Sequence, residues 1–350
     1  MSSRRSQFNS QFPRATYLEA DHLDALEPLL RSVDLLAPEE SVVRTEKPGE
    51  GNMNFVLRVI TTKRSFILKQ SRPWVEKYPQ IAAPVERLEA EAAYYRVIAA
   101  DPDLRAMSPT LLALESTHLI MVTEDLGRAS DLTSIFTKGA ELPVADIHAL
   151  FDYLGRLHVT SNDIDPAAFP PNQKLKELNH AHIFDLPFRR DNGFDLDAIQ
   201  PGLNALAQPV VGNDGLRTRL TELGQFYLGS GPVLIHGDFY PGSWLRTDDG
   251  LKVIDPEFAF FGQAEFDMGV MIAHLLMARI PLETIKTCLP AYLQHGSIDE
   301  TLVIEFAGAE ILRRLLGLAQ LPVDLDLVEK SKLIELAQRF INEPSSTAFC

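Results

Sequence analysis

Cysteine, positive charge and long apolar stretches are all scarce in this sequence of 350 residues. Only Cys288 and Cys350 occur, which excludes a disulfide framework and a cysteine zinc site and favours a reducing, cytoplasmic environment. The 33 basic residues against 48 acidic residues give a net charge of -15, which repels polyanions, so we expect no nucleic-acid partner. The longest apolar run, from Gly269 to Ile280, contains His274 and Arg279 and is shorter than the roughly 20 residues of a membrane helix, so we expect no membrane partner.

The composition that remains is typical of a globular protein, with 45% hydrophobic and 23% charged residues and enough length for about two domains. Short β-type runs come first along the chain, and helical periodicity dominates later. Strands followed by helices predict an α+β fold with a boundary near residue 126. The predicted segments are 1–40 (a flexible start up to Arg14 and a leading helix), 41–126 (an N-terminal lobe built on a sheet) and 127–350 (a helical C-terminal lobe).

Individual elements follow from hydrophobic periodicity and turn residues. The predicted strands are Val42–Thr45, Phe55–Ile60, Ser65–Gln70, His118–Thr123, Trp244–Arg246 and Lys252–Ile254. The predicted helices include Pro84–Ala99 and Asp146–Val159, and almost everything after Phe266.

A loop containing glycine, residues 48–54, separates the first two predicted strands. Gly51, Asn52 and Asn54 lie in this loop, where a glycine-bearing backbone can bring N–H groups close to a phosphate. The hairpin that follows returns Lys69 to the same end of the sheet. A phosphate bound at the loop would therefore meet an ammonium group.

A carboxylate lies on the apolar face of the helix predicted after this hairpin. Helical spacing places Glu91 in line with Leu88 and Tyr95, so we expect it to be buried. A buried carboxylate needs a cationic partner. Lys69 is the favoured partner, and a salt bridge to nearby Arg87 is the alternative.

Three acidic residues stand at the ends of predicted strands in the second half of the chain. Asp238 follows the apolar run at 233–235, and a hairpin with its turn at 248–250 returns Asp255 and Glu257 to the side of Ser243. Three ionised carboxylates cannot crowd together without a cation, and oxygen ligands favour Mg²⁺. Taken singly, each motif is more typical of an ordinary structural turn, and it is the combination that favours a site.

The order of Lys69, Glu91, Asp238 and Asp255 resembles that of protein-kinase-like phosphotransferases. From about residue 40 to residue 320 the chain resembles the aminoglycoside phosphotransferase and choline kinase superfamily, and within it the 5-methylthioribose kinase family. The segments that carry the resemblance are 51–56 (GNMNFV), 68–70 (LKQ), 124–126 (EDL), 236–243 (HGDFYPGS), 254–258 (IDPEF), 313–314 (RR) and 317–319 (GLA). Ser243, where most of the superfamily has asparagine, favours the narrower family.

The resemblance implies a protein-kinase-like two-lobe fold, with a small antiparallel-sheet N-lobe and a mainly helical C-lobe. It further implies an enzyme that uses ATP and Mg²⁺ to transfer the γ-phosphate to a sugar hydroxyl, most simply that of 5-methylthioribose. The implied roles are catalysis and substrate binding by Asp238, metal binding by Asp255, Glu257 and Ser243, and nucleotide binding by Gly51, Asn52, Asn54, Lys69, Glu91 and the backbone of Glu124 and Leu126.

Residues that would bind the substrate come from two further motifs. Helical spacing places Arg314 on an apolar stripe, which by pattern alone favours a structural ion pair, whereas the family resemblance implies that Arg313 and Arg314 contact substrate and transferred phosphate. Trp74 resembles the tryptophan of a family loop over the substrate, and capping of a core is the equal alternative. We expect Asp267 to bind the catalytic loop, and His158 and His236 to be structural.

The acceptor is less tightly specified than the chemistry. The segment 179–188 only partly resembles the corresponding insert of the family, so an aminoglycoside or another small alcohol is the alternative acceptor. A nucleotide-binding scaffold without turnover is the alternative of another class, although no part of the kinase residue set is missing. The resemblance also implies a homodimer.

Overall fold

A computed structural model describes residues 3–20, 22–49, 53–318 and 320–344. The chain divides into two compact units, Met1–Ala129 and Ser130–Cys350, and the boundary predicted at residue 126 lies just before this division. The helices are α1 (Ser3–Gln11), α2 (Leu23–Ser32), α3 (Arg87–Ile98), α4 (Pro102–Ala106), α5 (Val144–Thr160), α6 (Gln173–His180), α7 (Leu203–Val211), α8 (Asp214–Leu228), α9 (Ala264–Met277), α10 (Leu282–Leu293), α11 (Glu300–Leu316) and α12 (Leu327–Asn342). The strands are β1 (Val42–Glu46), β2 (Phe55–Thr61), β3 (Ser65–Gln70), β4 (Leu111–Glu115), β5 (Ile120–Glu124), β6 (Ala129–Asp131), β7 (Val233–Ile235), β8 (Trp244–Thr247), β9 (Gly250–Val253) and β10 (Phe260–Gly262).

The N-terminal unit is built on an antiparallel sheet of five strands in the order β1, β2, β3, β5, β4. Strand β3 is central, and its Lys69 is paired with Val56 on one side and Met121 on the other. Because successive side chains alternate between faces, Leu68 enters the core beneath α2 while Lys69 points to the opposite face. The central position in the sheet fixes the lysine firmly.

The start of the chain differs from the expectation of a flexible segment up to Arg14. Helix α1 forms there, and Phe8 is fully buried in a cluster with Tyr17 and Trp74. Phe12 directly follows the last residue of α1 and donates its N–H to the Phe8 carbonyl at 2.8 Å, and the two ring centroids lie 5.4 Å apart. Two anchoring aromatic rings order a segment whose overall composition is polar.

Helix α3 begins at Arg87 and not at the predicted Pro84. The Arg87 guanidinium donates from Nη1 to the carbonyl oxygen of Pro84 at 2.6 Å. Pro84 thus belongs to the turn that leads into the helix. The sequence did not predict strands β4, β6 and β10, since each is short and shows little alternation of apolar and polar residues.

The C-terminal unit is mainly helical, which together with the sheet of the other unit confirms the α+β prediction. Its central pair is α9 and α11, which pack closely because α9 carries Gly269. A Cβ at that position would lie 2.6 Å from the Cβ of Phe306 and 2.8 Å from the carbonyl oxygen of Val303, both on α11. The close approach brings polar residues of the two helices within hydrogen-bonding distance.

Short strands in this unit carry the loops of the second acidic motif. Strand β7 pairs antiparallel with β10, and β8 pairs antiparallel with β9 through the predicted turn. The segment that only partly resembles the family insert contains the end of α6, a π-helical turn at Ala181–Asp185 and a 3₁₀ turn at Leu186–Phe188. None of the helices in the described ranges is long and apolar enough to cross a membrane.

Candidate active site

A buried ion pair joins the sheet of the N-terminal unit to helix α3. The Nζ atom of Lys69 lies 2.6 Å from Oε1 of Glu91, and the two side chains are 9% and 0% exposed. The sequence favoured this pairing over the alternative with Arg87. The pair places an ammonium group, held by a carboxylate, on the face of β3 opposite the main core of the unit.

Arg87 instead stabilises the chain around the glycine-containing loop. It donates from Nε to the Asn54 amide oxygen at 3.1 Å and from Nη2 to the Met53 carbonyl oxygen at 3.0 Å. The Asn54 side chain is buried and supports the loop, and the predicted contact of the loop backbone with a phosphate stays a prediction. Gly51 and Asn52, the other two predicted residues, lie outside the described residues.

The segment with the predicted adenine contacts, Glu124 and Leu126, is held by the residue between them. Asp125 accepts a hydrogen bond from Arg58 Nη2 at 3.0 Å and from the backbone N–H of Gly127 at 3.1 Å. The backbone N–H of Glu124 donates to the carbonyl of Thr110 at 2.8 Å. The adenine contacts stay predictions. The segment that would make them is held by the ion pair between Arg58 and Asp125, which the sequence did not predict.

Trp74 does not lie on a surface over a substrate. Its side chain is 1% exposed, packs with Phe8 and Tyr17, and donates from Nε1 to Glu76 at 3.2 Å. The burial of the indole supports the alternative of core capping and argues against the predicted substrate contact.

The loop that carries Asp238 in the C-terminal unit is tied to helix α9. The two carboxylate oxygens of Asp267 accept the backbone N–H groups of His236 at 2.6 Å and Gly237 at 2.9 Å. Gly237 has φ +82°, and a Cβ there would lie 2.3 Å from the carbonyl oxygen of Phe258, so only glycine fits. As expected, Asp267 binds this loop, and it fixes the two residues immediately before Asp238.

His236 links the same loop to the second acidic motif. It is fully buried, and its Nε2 lies 3.0 Å from the carbonyl oxygen of Ile254. Burial lowers the pKa of His236, although the charge of Asp267 opposes that shift. A neutral, buried imidazole that bridges two loops agrees with the structural role expected for it. His158 is likewise buried, with Nδ1 2.9 Å from the Tyr292 hydroxyl.

The second acidic motif is strained at its key residue. Asp255 adopts φ +62°, the left-handed region that non-glycine residues rarely occupy. Such strain persists only where neighbouring contacts impose it, and it concentrates at functional sites. Here Ile254 donates its N–H to the Ser243 carbonyl at 2.9 Å, and Asn172 donates to the Glu257 carbonyl at 2.8 Å.

The three predicted metal ligands are Asp255, Glu257 and Ser243. Ser243 is buried, donates from Oγ to the Asp238 carbonyl at 3.0 Å and accepts the Ile254 N–H on its own carbonyl, so it connects the Asp238 loop to the second acidic motif. No group of three or more His, Cys, Asp or Glu side chains that could hold a metal is found among the described residues. Burial raises the pKa of Tyr240, and the charges of Asp238 and Asp255 both raise it further, which places both carboxylates near that ring. The expected crowding of all three carboxylates stays a prediction. One or two carboxylates still suit Mg²⁺, which ordinarily completes its shell with phosphate oxygens and water.

Two arginines at the end of α11 contact the Asp238 carboxylate. Nη2 of Arg314 lies 3.1 Å and Nη2 of Arg313 lies 3.5 Å from Oδ1 of Asp238, whose side chain is 23% exposed. The guanidinium of Arg314 also lies over the ring of Tyr240, 4.9 Å from its centroid. The arginines thus form ion pairs, as the pattern favoured, and they do so at the predicted catalytic residue. Their contact with substrate and transferred phosphate, which the family resemblance implies, stays a prediction.

Glu310 and His274 complete this cluster, and neither was predicted from the sequence as a site residue. Glu310 accepts Nε of Arg313 at 2.5 Å, Nε of Arg314 at 2.8 Å, and lies 2.9 Å from Nε2 of His274. Burial would raise the pKa of Glu310, but the two guanidinium groups hold it well below its usual range. The spacing of Glu310 to the arginines, three and four residues, was the available signal.

The insert segment adjoins the same end of α11. Beyond the helix, the Cβ of any residue replacing Gly317 would lie 3.2 Å from Pro187 of the insert. His182, in the π-helical turn, has a pKa lowered by burial and by the charge of Arg313. The segment whose sequence departs from the family therefore borders the arginine cluster.

Comparison with curated proteins finds methylthioribose kinases. The methylthioribose kinase of Exiguobacterium sibiricum is 27% identical over 351 residues, which cover 88% of this chain and 87% of the relative. That of Bacillus velezensis is 28% identical and covers 83% of this chain and 82% of the relative. The similarity extends over most of both chains and agrees with the resemblance found from the motifs.

Among solved structures, the chain is similar to a spectinomycin phosphotransferase, with a TM-score of 0.53, 13% identity, and coverage of 94% of this chain and 99% of the other. A choline kinase from Cryptosporidium parvum gives a TM-score of 0.50 at 12% identity and covers 92% of this chain and 95% of the other. These similarities confirm the predicted protein-kinase-like fold.

The family model described as the phosphotransferase enzyme family matches residues 45–314, a span that includes Lys69, the Asp238 loop and both arginines. Motifs, fold and site geometry agree with that match, and the chain belongs to the phosphotransferase enzyme family.

Proposed function

We propose that this protein transfers the γ-phosphate of ATP to a hydroxyl group of 5-methylthioribose. The observation that carries the proposal is the setting of Asp238, on a loop fixed by Asp267 and in contact with a buried arginine pair. The sugar acceptor is supported by the methylthioribose kinases to which the chain is similar over more than four fifths of its length.

In the proposed reaction, Asp238 accepts a hydrogen bond from the acceptor hydroxyl and takes its proton as the oxygen attacks the γ-phosphorus. The O–P bond to the acceptor forms and the bond to the β-phosphate oxygen breaks, which releases ADP. Because the transition state of phosphoryl transfer is loose, orientation and neutralisation of charge supply most of the rate. The Nη groups of Arg313 and Arg314, already beside Asp238, would donate to the oxygens of the transferred group.

The nucleotide is assigned to residues of the N-terminal unit. Lys69, held by Glu91, would bind the α- and β-phosphates, and the backbone of Glu124 and Leu126 would contact the adenine. Asp255 and Glu257 would hold Mg²⁺, which neutralises charge on the phosphate oxygens when it is bound. A cytoplasmic location and a homodimer stay predictions, and light scattering on a sizing column measures the second.

A coupled assay of ADP release tests the function with Mg²⁺ and ATP over a panel of acceptors: 5-methylthioribose, ribose, choline, homoserine and kanamycin. We expect turnover with methylthioribose alone, at a kcat/KM of about 10⁴ M⁻¹s⁻¹ or more. Asp238→Ala should abolish turnover while ATP still binds, and Asp248→Ala, in the exposed hairpin turn, is the matched control. Turnover with another acceptor would overturn the substrate, and ATP binding without turnover on any acceptor would favour a scaffold.

A further inference from the structure

Glu310 makes an unusual set of contacts for a fully buried carboxylate. Its Oε1 accepts Nε of Arg314 and lies at 2.9 Å from Nε2 of His274, while its Oε2 accepts Nε of Arg313. The side chain is 1% exposed. A buried ion pair is weak evidence for stability, because apolar residues of similar volume serve the core as well or better. The contacts point to a requirement for orientation.

The way in which the N–H donors of Arg313 and Arg314 are shared between two carboxylates shows which groups Glu310 orients. A guanidinium is planar and carries five N–H groups in a fixed fork, so holding Nε also sets the direction of both Nη atoms. In Arg313 and Arg314 the Nε atoms face Glu310, and an Nη2 atom of each faces Asp238. The contacts of Glu310 with both Nε atoms therefore orient the two arginines so that both can contact Asp238 together.

The charges of the cluster balance in the same arrangement. Two guanidinium groups face two carboxylates, Glu310 and Asp238, and burial lowers the pKa of His274 to about 4, which keeps that imidazole neutral near pH 7. Without Glu310, two cations would share the single carboxylate of Asp238 and would compete with the acceptor hydroxyl for its oxygens. Glu310 thus limits how far the arginines are drawn onto Asp238.

We propose that Glu310 is a positioning residue for the phosphoryl-transfer site, acting through the Nε atoms of Arg313 and Arg314. The proposal rests on the proposed function, since it assigns a catalytic purpose to the surroundings of Asp238. Helix α11 supplies a matched control in Glu305, which is also buried and makes a bidentate pair with Arg219 at 2.6 and 2.7 Å. No contact between Glu305 and Asp238 is found in the described part of the chain.

The kinetic test compares Glu310→Gln with Glu305→Gln, two isosteric changes that each remove one buried charge from the same helix. We expect Glu310→Gln to lower kcat/KM for the acceptor about 30-fold or more, with the KM for ATP within about twofold. Glu305→Gln should keep activity within about threefold, even if urea unfolding shows an equal loss of stability. Activity of Glu310→Gln within threefold, or equal losses in both variants, would overturn the proposal.

A second measurement needs neither activity nor a folded variant of Glu310. In full-length wild-type protein labelled with ¹⁵N-arginine, the Nε–H protons of Arg313 and Arg314 should exchange with water at least about tenfold more slowly than that of exposed Arg128. The variants Arg313→Lys and Arg314→Lys identify the two signals. Exchange as fast as that of Arg128 would overturn the positioning role. If the wild type phosphorylates no acceptor of the panel, the proposed function fails, and this exchange measurement still tests whether the Nε–H groups of the two arginines are held away from water.

Discussion

Replacing Asp267 with asparagine tests how the loop before Asp238 is held. The carboxylate is fully buried at the first turn of α9 and accepts two consecutive backbone N–H groups, those of His236 and Gly237. Asparagine keeps the shape of the side chain but offers one oxygen and one NH₂ group. One of the two N–H groups would therefore face a donor instead of an acceptor.

The expected cost follows from these two contacts. A hydrogen bond to a charged group contributes about 1.5 to 3 kcal/mol, and a buried donor left unsatisfied costs about 1 to 3 kcal/mol. Asp267→Asn keeps one of the two bonds in weaker, uncharged form, so we expect a loss of about 2 to 4 kcal/mol of unfolding free energy. Since a shift of about 1 Å in a reacting group costs roughly 10²-fold in rate, kcat should fall by about that factor.

Urea unfolding followed by circular dichroism measures the stability, and the ADP-release assay measures kcat on protein shown to be folded. Asp299→Asn is the control, because Asp299 also accepts two backbone N–H groups, those of Thr301 and Leu302, but at the exposed start of α11. Asparagine is a good helix N-cap, so this variant should lose less than about 0.5 kcal/mol and keep full activity. A loss below about 1 kcal/mol in Asp267→Asn together with kcat within threefold of wild type would refute the reasoning.

Three further predictions concern other parts of the fold. Lys69→Met should lower the free energy of unfolding, measured in urea, by about 3 to 5 kcal/mol, because Glu91 is left buried without its lysine. The double variant with Glu91→Leu should recover this stability but not the affinity for ATP, which calorimetry measures. The free energy of unfolding should rise by about 2 kcal/mol from pH 5 to pH 7 on account of His274. The pKa of this imidazole in the folded protein is about 4, below the ordinary 6.5, so in this interval the unfolded chain binds a proton that the folded protein does not. His274→Gln should flatten the rise. Gly237→Ala should lower the unfolding free energy by about 2 kcal/mol or more and impair kcat, since its Cβ would meet the Phe258 carbonyl oxygen at 2.3 Å; melting and activity equal to wild type would contradict the assigned close approach.

Local patterns in the sequence were sufficient for the elements that carry the site residues and for the order of those residues. Alternation in residues 55–70 predicted β2 and β3, and helical spacing placed Glu91 on a buried face opposite Lys69. The apolar run before Asp238 and the turn at 248–250 predicted β7 and the β8–β9 hairpin. These signals are readable because each depends on residues within one or two turns or one hairpin.

Contacts between distant elements were not readable in this way. The pattern around Trp74 was compatible with contact to substrate and with capping of a core, and its burial with Phe8 and Tyr17 supports the core. The predicted crowding of three carboxylates depends on how closely two loops approach each other, which local patterns do not report, and it stays a prediction. The flexible start was expected from polar composition, and two phenylalanines were enough to anchor a helix there.

The sequence by itself determined the reaction class, because the kinase residues stand in order along the chain, each beside a recognisable strand, turn or helix face. Only the tertiary structure decided that Glu310 and His274 join the arginine pair at Asp238. His274 lies on α9 and Glu310 on α11, and Gly269 lets these helices approach closely enough for the two side chains to meet. The physical reason is that periodicity reports which face of a helix is buried, whereas the partner of a buried polar group is set by which helices pack together and how closely.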